Sequence, residues 1–508
     1  PKVISPANLP EPIANMFNGA TKITDIEVAA GNTGLKEEDG VLYTIDSEGK
    51  LDNLVYYPVA KAGASYSIPD GVKGVGSINV GGTTTSTVAA FTKNANLQSI
   101  TVPASVQSIG SFAFANSAKL KYVKFEPTKE GEAAKDLTFG DYVFYTCKLL
   151  EGSEAGKPFV IPARTAVGGI GPRLFDSCAK LTKVEFESGT RIEEIPARTF
   201  YNTALTEFTI PKSVTVIGEY AFYGNEDLKD LKLEAGGAIT SIASNAFYRV
   251  GAISPDVVSD IIKNATVGNS IFSGAKISGV VTIPNGVSTI GSNMFQNNAA
   301  ITKVILPDTV TAIENNAFQG CTSLKEVVMS KNITSIGQYA FAKTAISTIE
   351  LPNSLNTLDN YAFSESSIEE VNVPASVTSF GTNVFNKCAS LKRATINCSV
   401  VNNNTFFGCL NLAEVELSEG VQRIGDTAFS GCSALKEITI PSTVCNDPVP
   451  SSTSKAQVLG IGKNAFKECT SLESITFAEG GSAGLTLAEG AFTGCSSLTA
   501  VDFTERLV

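Results

Sequence analysis

The side chains that could do chemistry in this chain of 508 residues are its cysteines, carboxylates and tyrosines, because histidine is absent. Without histidine, the commonest general base and metal ligand is missing, together with every catalytic triad that contains it. Neighbouring carboxylates such as Glu193 with Glu194 could form an acid and base pair, but no nucleophile motif or phosphate-binding glycine loop accompanies them. They are better explained as solvated surface, so we expect no enzyme activity, no cofactor and no metal site.

The chain contains ten cysteines, and most of them share a fixed spacing. Eight of them stand three residues after a phenylalanine, namely Cys147, Cys178, Cys321, Cys388, Cys409, Cys432, Cys469 and Cys495. Where cysteine is missing, small polar residues take the same place, namely Asn94, Ser117, Thr203, Asn225, Asn298, Thr344 and Ser366. We therefore expect an inward column of free thiols that bond to the backbone, with disulfides as the alternative. Cys398 and Cys445 lie outside this column, and their redox state stays open.

The spacing of the cysteines belongs to an internal repeat. A phenylalanine recurs from Phe91 to Phe492, and between Phe272 and Phe429 the steps are 21 to 23 residues. The unit reads L-x-x-V-x-I-P-x-x-V-x-x-I-G-x-x-A-F-x-x-C-x-x. Its V-x-I part alternates apolar and polar residues, which predicts a short half-buried strand that the proline ends. The glycine of I-G is expected to supply a positive φ in the following turn, and the phenylalanine to point into the core.

Such a unit cannot close a core by itself, so stacked copies predict a repeat solenoid. Each coil of about 23 residues would hold one short parallel strand and otherwise mostly turns and irregular structure. The unit resembles the BspA-type leucine-rich repeat over about residues 68–508, and residues 39–43, 54–58 and 66–72 are similar to an insertion of that family. The resemblance implies a leucine-rich-repeat right-handed superhelix. We expect a degenerate N-terminal cap repeat over 1–30, a β-hairpin-like insertion over 31–67 and a single continuous solenoid over 68–508.

Charge and hydropathy limit the possible partners. With 39 Lys and Arg against 50 Asp and Glu, the net charge of −11 argues against binding to nucleic acid or to an anionic membrane. No run of 18 apolar residues occurs, so no membrane-spanning segment is expected. We expect an extracellular or cell-surface protein whose signal or lipid anchor preceded Pro1. The oligomeric state stays open.

Interruptions of the repeat indicate where loops and irregular coils lie. The link between Val444 and Ile461 is about 14 residues longer than the usual one, and it is either a tolerated surface loop or a recognition loop. Smaller insertions occur over 129–135 and 151–157. The strand pattern fails near Pro255, where a short helical turn is expected.

Two sets of outward residues are candidates for partner binding. Ile305 and Val328 occupy the middle position of V-x-I in adjacent repeats, with Val281 nearby, and would form a small apolar patch on the sheet. Tyr201, Tyr223 and Tyr248 each follow the anchor phenylalanine and could stack on sugars, anchor a protein or cover the apolar rim. These residues would act through the solenoid face and its side loops.

Three functions therefore stay open. The resemblance implies a non-catalytic bacterial surface adhesin, found in Bacteroides-like or Treponema-like bacteria, that binds a host matrix protein or another bacterium. The alternative is a glycan-binding surface module of a nutrient-uptake system, which the tyrosine run would support. A purely structural spacer would have no ligand at all. Fold alone does not decide among them.

Overall fold

The computed structural model describes residues 2–5, 20–80, 84–87, 89–445, 460–480, 485 and 487–502. The chain divides into two compact units, residues 1–253 with 264–271 and residues 254–263 with 272–508. The first unit contains β1 (Lys2–Ser5), β2 (Asp25–Val28), β3 (Leu35–Glu38), β4 (Val41–Ile45), β5 (Leu51–Tyr56), β6 (Ser65–Ser67), β7 (Gly74–Val75), β8 (Ser77–Val80), β9 (Thr84–Thr87), β10 (Ser99–Val102), β11 (Ser108–Ile109), β12 (Tyr122–Phe125), β13 (Leu137–Phe139), β14 (Phe159–Ile161), β15 (Thr165–Ile170), β16 (Val184–Phe186), β17 (Glu194–Ile195), β18 (Glu207–Ile210), β19 (Val216–Ile217), β20 (Asp230–Leu233), β21 (Ser241–Ile242), β22 (Ala252–Ile253) and β23 (Thr266–Val267).

The second unit begins with a helix and continues with short strands. It contains α1 (Pro255–Ile262), β24 (Lys276–Thr282), β25 (Thr289–Ile290), β26 (Ala300–Ile305), β27 (Ala312–Ile313), β28 (Glu326–Val328), β29 (Ser335–Ile336), β30 (Thr357–Leu358), β31 (Glu370–Val373), β32 (Ser379–Phe380), β33 (Arg393–Ile396), β34 (Val400–Val401), β35 (Glu414–Leu417), β36 (Arg423–Ile424), β37 (Glu437–Ile440), β38 (Ser474–Phe477) and β39 (Ala500–Asp502).

In both units, parallel strands from successive coils pair in register. In the first unit Phe208 of β18 lies opposite Leu231 of β20, and in the second Ala394 of β33 lies opposite Val415 of β35. A second, two-residue strand follows in many coils, as in the pairing of β19 with β21 and of β27 with β29. The predicted solenoid of leucine-rich-repeat coils is confirmed. The strand pattern held because each V-x-I places alternate residues on opposite faces of the sheet.

The N-terminal part of the first unit differs from the repeating coils. β3 with β4 and β4 with β5 pair antiparallel, within the segment predicted as a hairpin-like insertion. Ile26, Leu42 and Val55 are buried together against this segment. The part of the expected cap repeat over 6–19 lies outside the described residues. The predicted domain boundaries therefore stay predictions.

The anchor phenylalanines form a stacked column inside each unit. In the first unit the ring centroids of successive anchors from Phe91 to Phe247 lie 4.8 to 5.7 Å apart. In the second unit, from Phe272 to Phe492, they lie 5.2 to 5.8 Å apart. A backbone bond accompanies each step, as when the Phe222 amide donates to the Ala246 carbonyl over 2.8 Å. The described coils thus share one core residue type and one hydrogen-bonding pattern.

The glycine of the I-G pair does not have the role that the sequence predicted. Gly218 is absent from the residues with positive φ, and a Cβ placed on it would lie 2.4 Å from the Ala197 amide nitrogen. Glycine is therefore needed there because the backbones of neighbouring coils approach closely. The positive φ values lie instead on both sides of the anchor phenylalanine. Around Phe222 they are found at Tyr220 (φ 55°) and Gly224 (φ 74°).

The irregular coil near Pro255 contains the expected helix. The Ser254 hydroxyl accepts a hydrogen bond from the Val257 amide, and Pro255 occupies the first turn. Both features favour a helix start. Val258, Ile261 and Ile262 are buried, so the helix turns its apolar face toward the core.

Candidate interaction surfaces

Three tyrosines from consecutive coils stack on one another at the side of the first unit. The ring centroids of Tyr201 and Tyr223 lie 4.7 Å apart with an angle of 10° between the planes, and those of Tyr223 and Tyr248 lie 5.0 Å apart at 4°. All three side chains are partly exposed. We call these residues the tyrosine ladder. The structure thus brings together the three tyrosines that the sequence singled out.

Arg198 covers the end of the tyrosine ladder. Its guanidinium carbon lies 4.7 Å from the ring centroid of Tyr201 and 5.1 Å from that of Tyr220. Tyr220 also packs edge-on against Tyr223, with centroids 5.7 Å apart. The Tyr201 ring therefore stacks on Tyr223 and also contacts the Arg198 guanidinium. The ring edges and hydroxyl groups are contact groups of this surface.

Arg198 and Tyr220 belong to a column of residues that stand two positions before the anchor phenylalanine. Every described member of this left-handed column after Phe91 has a positive φ, from 53° to 71°, and the first unit holds Phe112, Tyr142, Arg173, Arg198, Tyr220, Asn245 and Ser270 there. The rings of Phe112 and Tyr142 stack 4.6 Å apart, and the Arg173 guanidinium lies 5.0 Å from the Tyr142 centroid. Aromatic and arginine side chains therefore extend along the side of this unit beyond the tyrosine ladder.

Bulky residues are costly in the left-handed column. A left-handed backbone costs an L-residue about 1–2 kcal/mol, and asparagine is among the residues that tolerate it best. Asparagine, the less strained residue type, occupies this column at six positions, namely Asn245, Asn293, Asn316, Asn383, Asn404 and Asn464. Phe112 occupies it with 42% of its surface exposed, so burial does not offset the strain. A bulky residue at a strained, exposed position makes this column a candidate for function.

A buried carboxylate lies below the arginines. Asp176 is only 3% exposed and accepts a hydrogen bond from the Ser177 hydroxyl over 2.7 Å. Burial raises the pKa of Asp176, whereas this hydrogen bond and the charges of Arg173 and Arg198 oppose the rise. The Arg173 guanidinium lies 3.9 Å from the carboxylate, which is a long ion pair. Asp176 therefore has Arg173 as its partner and little surface to offer a ligand.

The predicted apolar patch on the sheet needs one correction. Val281 is fully buried, because it is the first apolar residue of its V-x-I triplet and points into the core. Its neighbour Val280 is the exposed residue, at 47%. Ile305 and Val328 lie opposite each other on β26 and β28, as expected, and are partly and largely exposed. The patch is thus smaller and more dispersed than three adjacent aliphatic residues.

The cysteine column reaches back to the preceding coil. The Sγ atom of Cys147 donates to the Phe114 carbonyl over 3.1 Å, and equivalent bonds to the previous anchor phenylalanine come from Cys178, Cys321, Cys388, Cys409, Cys432, Cys469 and Cys495. Asn298 and Ser117 make the same bond with an amide and a hydroxyl, over 2.8 and 2.9 Å. The column therefore joins successive coils, and Cys495 is its one partly exposed thiol among the described residues.

Burial keeps the inner thiols of this column protonated, whereas the hydrogen bond with Cys469 lowers the pKa of the partly exposed Cys495. Burial raises the pKa of Cys147 and of Cys321 to about 12, and that of Cys388 to about 11. All ten cysteines are free in the structure, including the buried Cys398 and the partly exposed Cys445. A protonated, buried thiol is a poor nucleophile and oxidises slowly. No cluster of three or more metal-ligating side chains occurs among the described residues.

The remaining sequence predictions concern the long loop, the two smaller insertions and the absence of a membrane-spanning segment. The long loop is described only up to Cys445 and from Gly460, so its central residues 446–459 lie outside the described residues. Ion pairs join the two smaller insertions to neighbouring segments, from Lys129 to Asp70 over 2.5 Å and from Glu154 to Lys124 over 2.9 Å. No helix in the described part of the chain has the length and apolar character that a bilayer crossing needs.

Sequence reasoning missed Phe112, Arg173 and Arg198 as members of the side surface. A signal was present, because each stands two residues before an anchor phenylalanine, in the same register as Tyr142 and Tyr220. The positive φ at this register could not be seen without coordinates, so the strain that distinguishes these residues from asparagine stayed hidden. Their stacking on neighbouring rings also depends on the coil geometry.

Comparisons with known proteins agree with this architecture. The family described as BspA type leucine-rich repeat region matches residues 84–153, 137–277, 259–369, 334–448 and 445–508. Similar solved structures include a leucine-rich repeat protein from Bacteroides ovatus, with 21% identity, a TM-score of 0.43 and 92% of each chain covered. A leucine rich cell surface protein from Faecalibacterium prausnitzii has 18% identity and a TM-score of 0.37, covering 77% of this chain and 96% of that one. The pneumococcal vaccine antigen PcpA has 21% identity and a TM-score of 0.40, covering 80% and 94%. No curated protein matches the chain.

Proposed function

Because the chain belongs to the family of BspA-type leucine-rich repeats, we propose that it is a non-catalytic interaction protein of the bacterial cell surface. It binds a macromolecular partner, a host matrix protein or a component of another bacterium, through the side of its solenoid. The carrying observation is the tyrosine ladder, a partly exposed stack of rings 4.7 and 5.0 Å apart. Tyrosine and arginine are the residue types that most often dominate binding energy at interfaces.

The rigidity of the tyrosine ladder supports this function. Each ring is held by its neighbours, and Tyr201 also by Arg198, so little side-chain freedom remains to be lost on binding. Tyrosine rings offer a large contact area with only two rotatable side-chain bonds. The sheet face is the weaker candidate for partner binding, since the middle positions of its V-x-I triplets are mostly polar. Val328 is the most exposed of the residues predicted to bind there. We therefore place the main contact at the side.

The buried cysteines are compatible with an extracellular location. Exposed free thiols would oxidise there or form disulfides. In this chain eight thiols are engaged with backbone carbonyls, and burial raises the pKa of Cys147 to about 12. The thiolate that oxidation requires is thereby suppressed at the buried members of the column.

Replacing Tyr201, Tyr223 and Tyr248 together with alanine tests the proposal. The wild-type chain and the variant are applied side by side to immobilised extracellular-matrix proteins and to a glycan array. We expect binding to one of these probes that the triple variant loses. The matched control is Tyr339→Ala with Tyr361→Ala, which removes a similar stacked pair, 4.7 Å apart, in the second unit. Equal binding by the triple variant would remove the tyrosine ladder as the site, and no binding to any probe would favour a structural spacer.

A further inference from the structure

We propose that the occupant of the tyrosine ladder is a protein segment that places a carboxylate, from Asp, Glu or a chain terminus, against the guanidinium of Arg198. This inference rests on the proposed function and names the chemistry of its partner. It favours a polypeptide over a sugar stacked on the tyrosines, which was the alternative suggested by the sequence. The argument depends on which faces of the rings are covered and on how Arg198 is satisfied.

A sugar ring needs a free aromatic face, and the tyrosine ladder offers few. Tyr223 lies between Tyr201 and Tyr248, so both of its faces are in contact with other rings. Tyr201 has one face against Tyr223, and the Arg198 guanidinium carbon lies 4.7 Å from its ring centroid. Farther along the side, Tyr142 likewise stacks on Phe112 and contacts the Arg173 guanidinium. What these rings can offer is their edges, which carry the positive part of the aromatic quadrupole and attract oxygen atoms of a partner.

Arg198 is the group that selects a carboxylate. Among the described residues no carboxylate oxygen lies within 4.0 Å of its guanidinium, whereas Arg173 and Arg249 have such partners in Asp176 and Glu226. The Arg198 guanidinium carbon lies 4.7 and 5.1 Å from the ring centroids of Tyr201 and Tyr220, and such contacts with rings do not use its N–H groups as hydrogen-bond donors. A planar guanidinium with a free edge matches a carboxylate through two parallel hydrogen bonds.

A polyanion such as a sulfated glycan fits this surface poorly. The exposed carboxylates of Asp141 and Glu219 directly precede Tyr142 and Tyr220, so the side surface is not strongly basic. Arg249 already pairs with Glu226 over 2.6 Å at the other end of the tyrosine ladder. One guanidinium among tyrosine edges is suited to a single carboxylate flanked by apolar or carbonyl groups. A polypeptide supplies that combination, with an acidic side chain beside its own backbone carbonyls.

A library of random 12-residue peptides displayed on phage tests this inference on the whole chain. Peptides are selected on the wild-type protein and counter-selected on the triple alanine variant of the tyrosine ladder. Selected peptides are then synthesised, and their affinities are measured for wild type, Arg198→Lys and the control Arg393→Lys. We expect the selected peptides to share an Asp or Glu. Arg198→Lys should weaken them about tenfold or more, because lysine keeps the charge and loses the planar pair of hydrogen bonds.

The outcomes separate this inference from the proposed function. Some peptides could need the tyrosine ladder but bind Arg198→Lys as tightly as wild type. That result would refute a carboxylate bound to Arg198 and would still support the proposed function. If no peptide is selected and a glycan binds through the tyrosine ladder, the partner is a glycan and the inference is wrong. If neither peptides, matrix proteins nor glycans depend on the tyrosine ladder, both proposals fail. A tenfold loss with Arg393→Lys as well would also count against a specific role of Arg198.

Discussion

Replacing Tyr220 with asparagine should stabilise its coil relative to replacement with alanine, although asparagine is the more polar residue. Tyr220 has a φ of 55°, in the left-handed region. Either substitution loses the contact with Arg198, at 5.1 Å, and the edge contact with Tyr223, at 5.7 Å. These are worth about 0.5–1 kcal/mol for the cation–π contact and about 0.5–1.5 kcal/mol for the ring pair. Only asparagine relieves part of the strain of the left-handed backbone, which costs about 1–2 kcal/mol.

The expected difference between the two variants is about 1 kcal/mol in favour of asparagine, because the contact losses cancel in the comparison. Against wild type, Tyr220→Asn should lie within about 1 kcal/mol, since the relief of strain and the lost contacts are of similar size. Long repeat arrays need not unfold in one step, so a local measurement is needed. The backbone carbonyl of Tyr220 accepts from the Tyr223 amide over 3.1 Å, which makes this turn a suitable reporter.

Hydrogen exchange measured by mass spectrometry on peptides that span residues 215–230 reports this local stability. A difference of 1 kcal/mol corresponds to exchange about fivefold slower in Tyr220→Asn than in Tyr220→Ala. Tyr223 provides the control, because it is absent from the residues with positive φ and asparagine should bring no advantage there. Equal or faster exchange in Tyr220→Asn would refute the strain argument, and with it one reason for regarding the aromatic side surface as functional.

Three further predictions concern the fold and the sheet face. Gly218→Ala should destabilise the protein more than Gly34→Ala in thermal unfolding, because an added Cβ meets backbone at 2.4 Å in the first case and only the Asn32 Oδ1 atom, at 4.0 Å, in the second; a larger effect at Gly34 would contradict the packing explanation. Val281→Lys should prevent or strongly impair folding and Val328→Lys should not, as judged by circular dichroism, since only Val281 is fully buried; equal effects would contradict the corrected patch. The free energy of unfolding should fall as pH rises from 9 toward 12, because burial raises the pKa of Cys147 from 9.0 to about 12 and only the unfolded chain ionises this thiol in that range. Cys147→Ser should reduce the slope of the free energy of unfolding against pH. An unchanged slope would exclude this thiol as its source.

The repeat made most of the fold predictable from the sequence. Apolar alternation in V-x-I gave the strands, and the fixed spacing of Phe and Cys gave two inward columns, as at Phe222 and Cys147. The position of a residue within the V-x-I triplet was harder to assign. Val281 was placed on the outer face of the sheet, although its own V-x-I pattern places it inside. The role of Gly218 was also wrong, because a close approach between coils and a positive φ favour the same residue type and differ only in three dimensions.

The chemistry of the side surface was the least predictable part, for a physical reason. The tyrosine run suggested stacking on sugars because a sequence shows which rings are near one another and not which faces are free. The coil spacing places successive rings about 5 Å apart, so a run of tyrosines at one register covers its own faces. Tyr339 and Tyr361 make the same point in the second unit, with centroids 4.7 Å apart at 12°.

What distinguishes the two aromatic stacks is the arginine. In the part of the chain that the structure describes, cation–π contacts occur at Tyr142, Tyr201 and Tyr220, all in the first unit. Tyr339 and Tyr361 share the left-handed column and its strain, but no arginine covers them. If stacking alone sufficed for binding, the second unit would bind the same partner. The proposal therefore requires that peptides selected on the tyrosine ladder ignore the Tyr339 and Tyr361 pair, and a loss of affinity on removing that pair would show that aromatic edges, without a guanidinium, are enough.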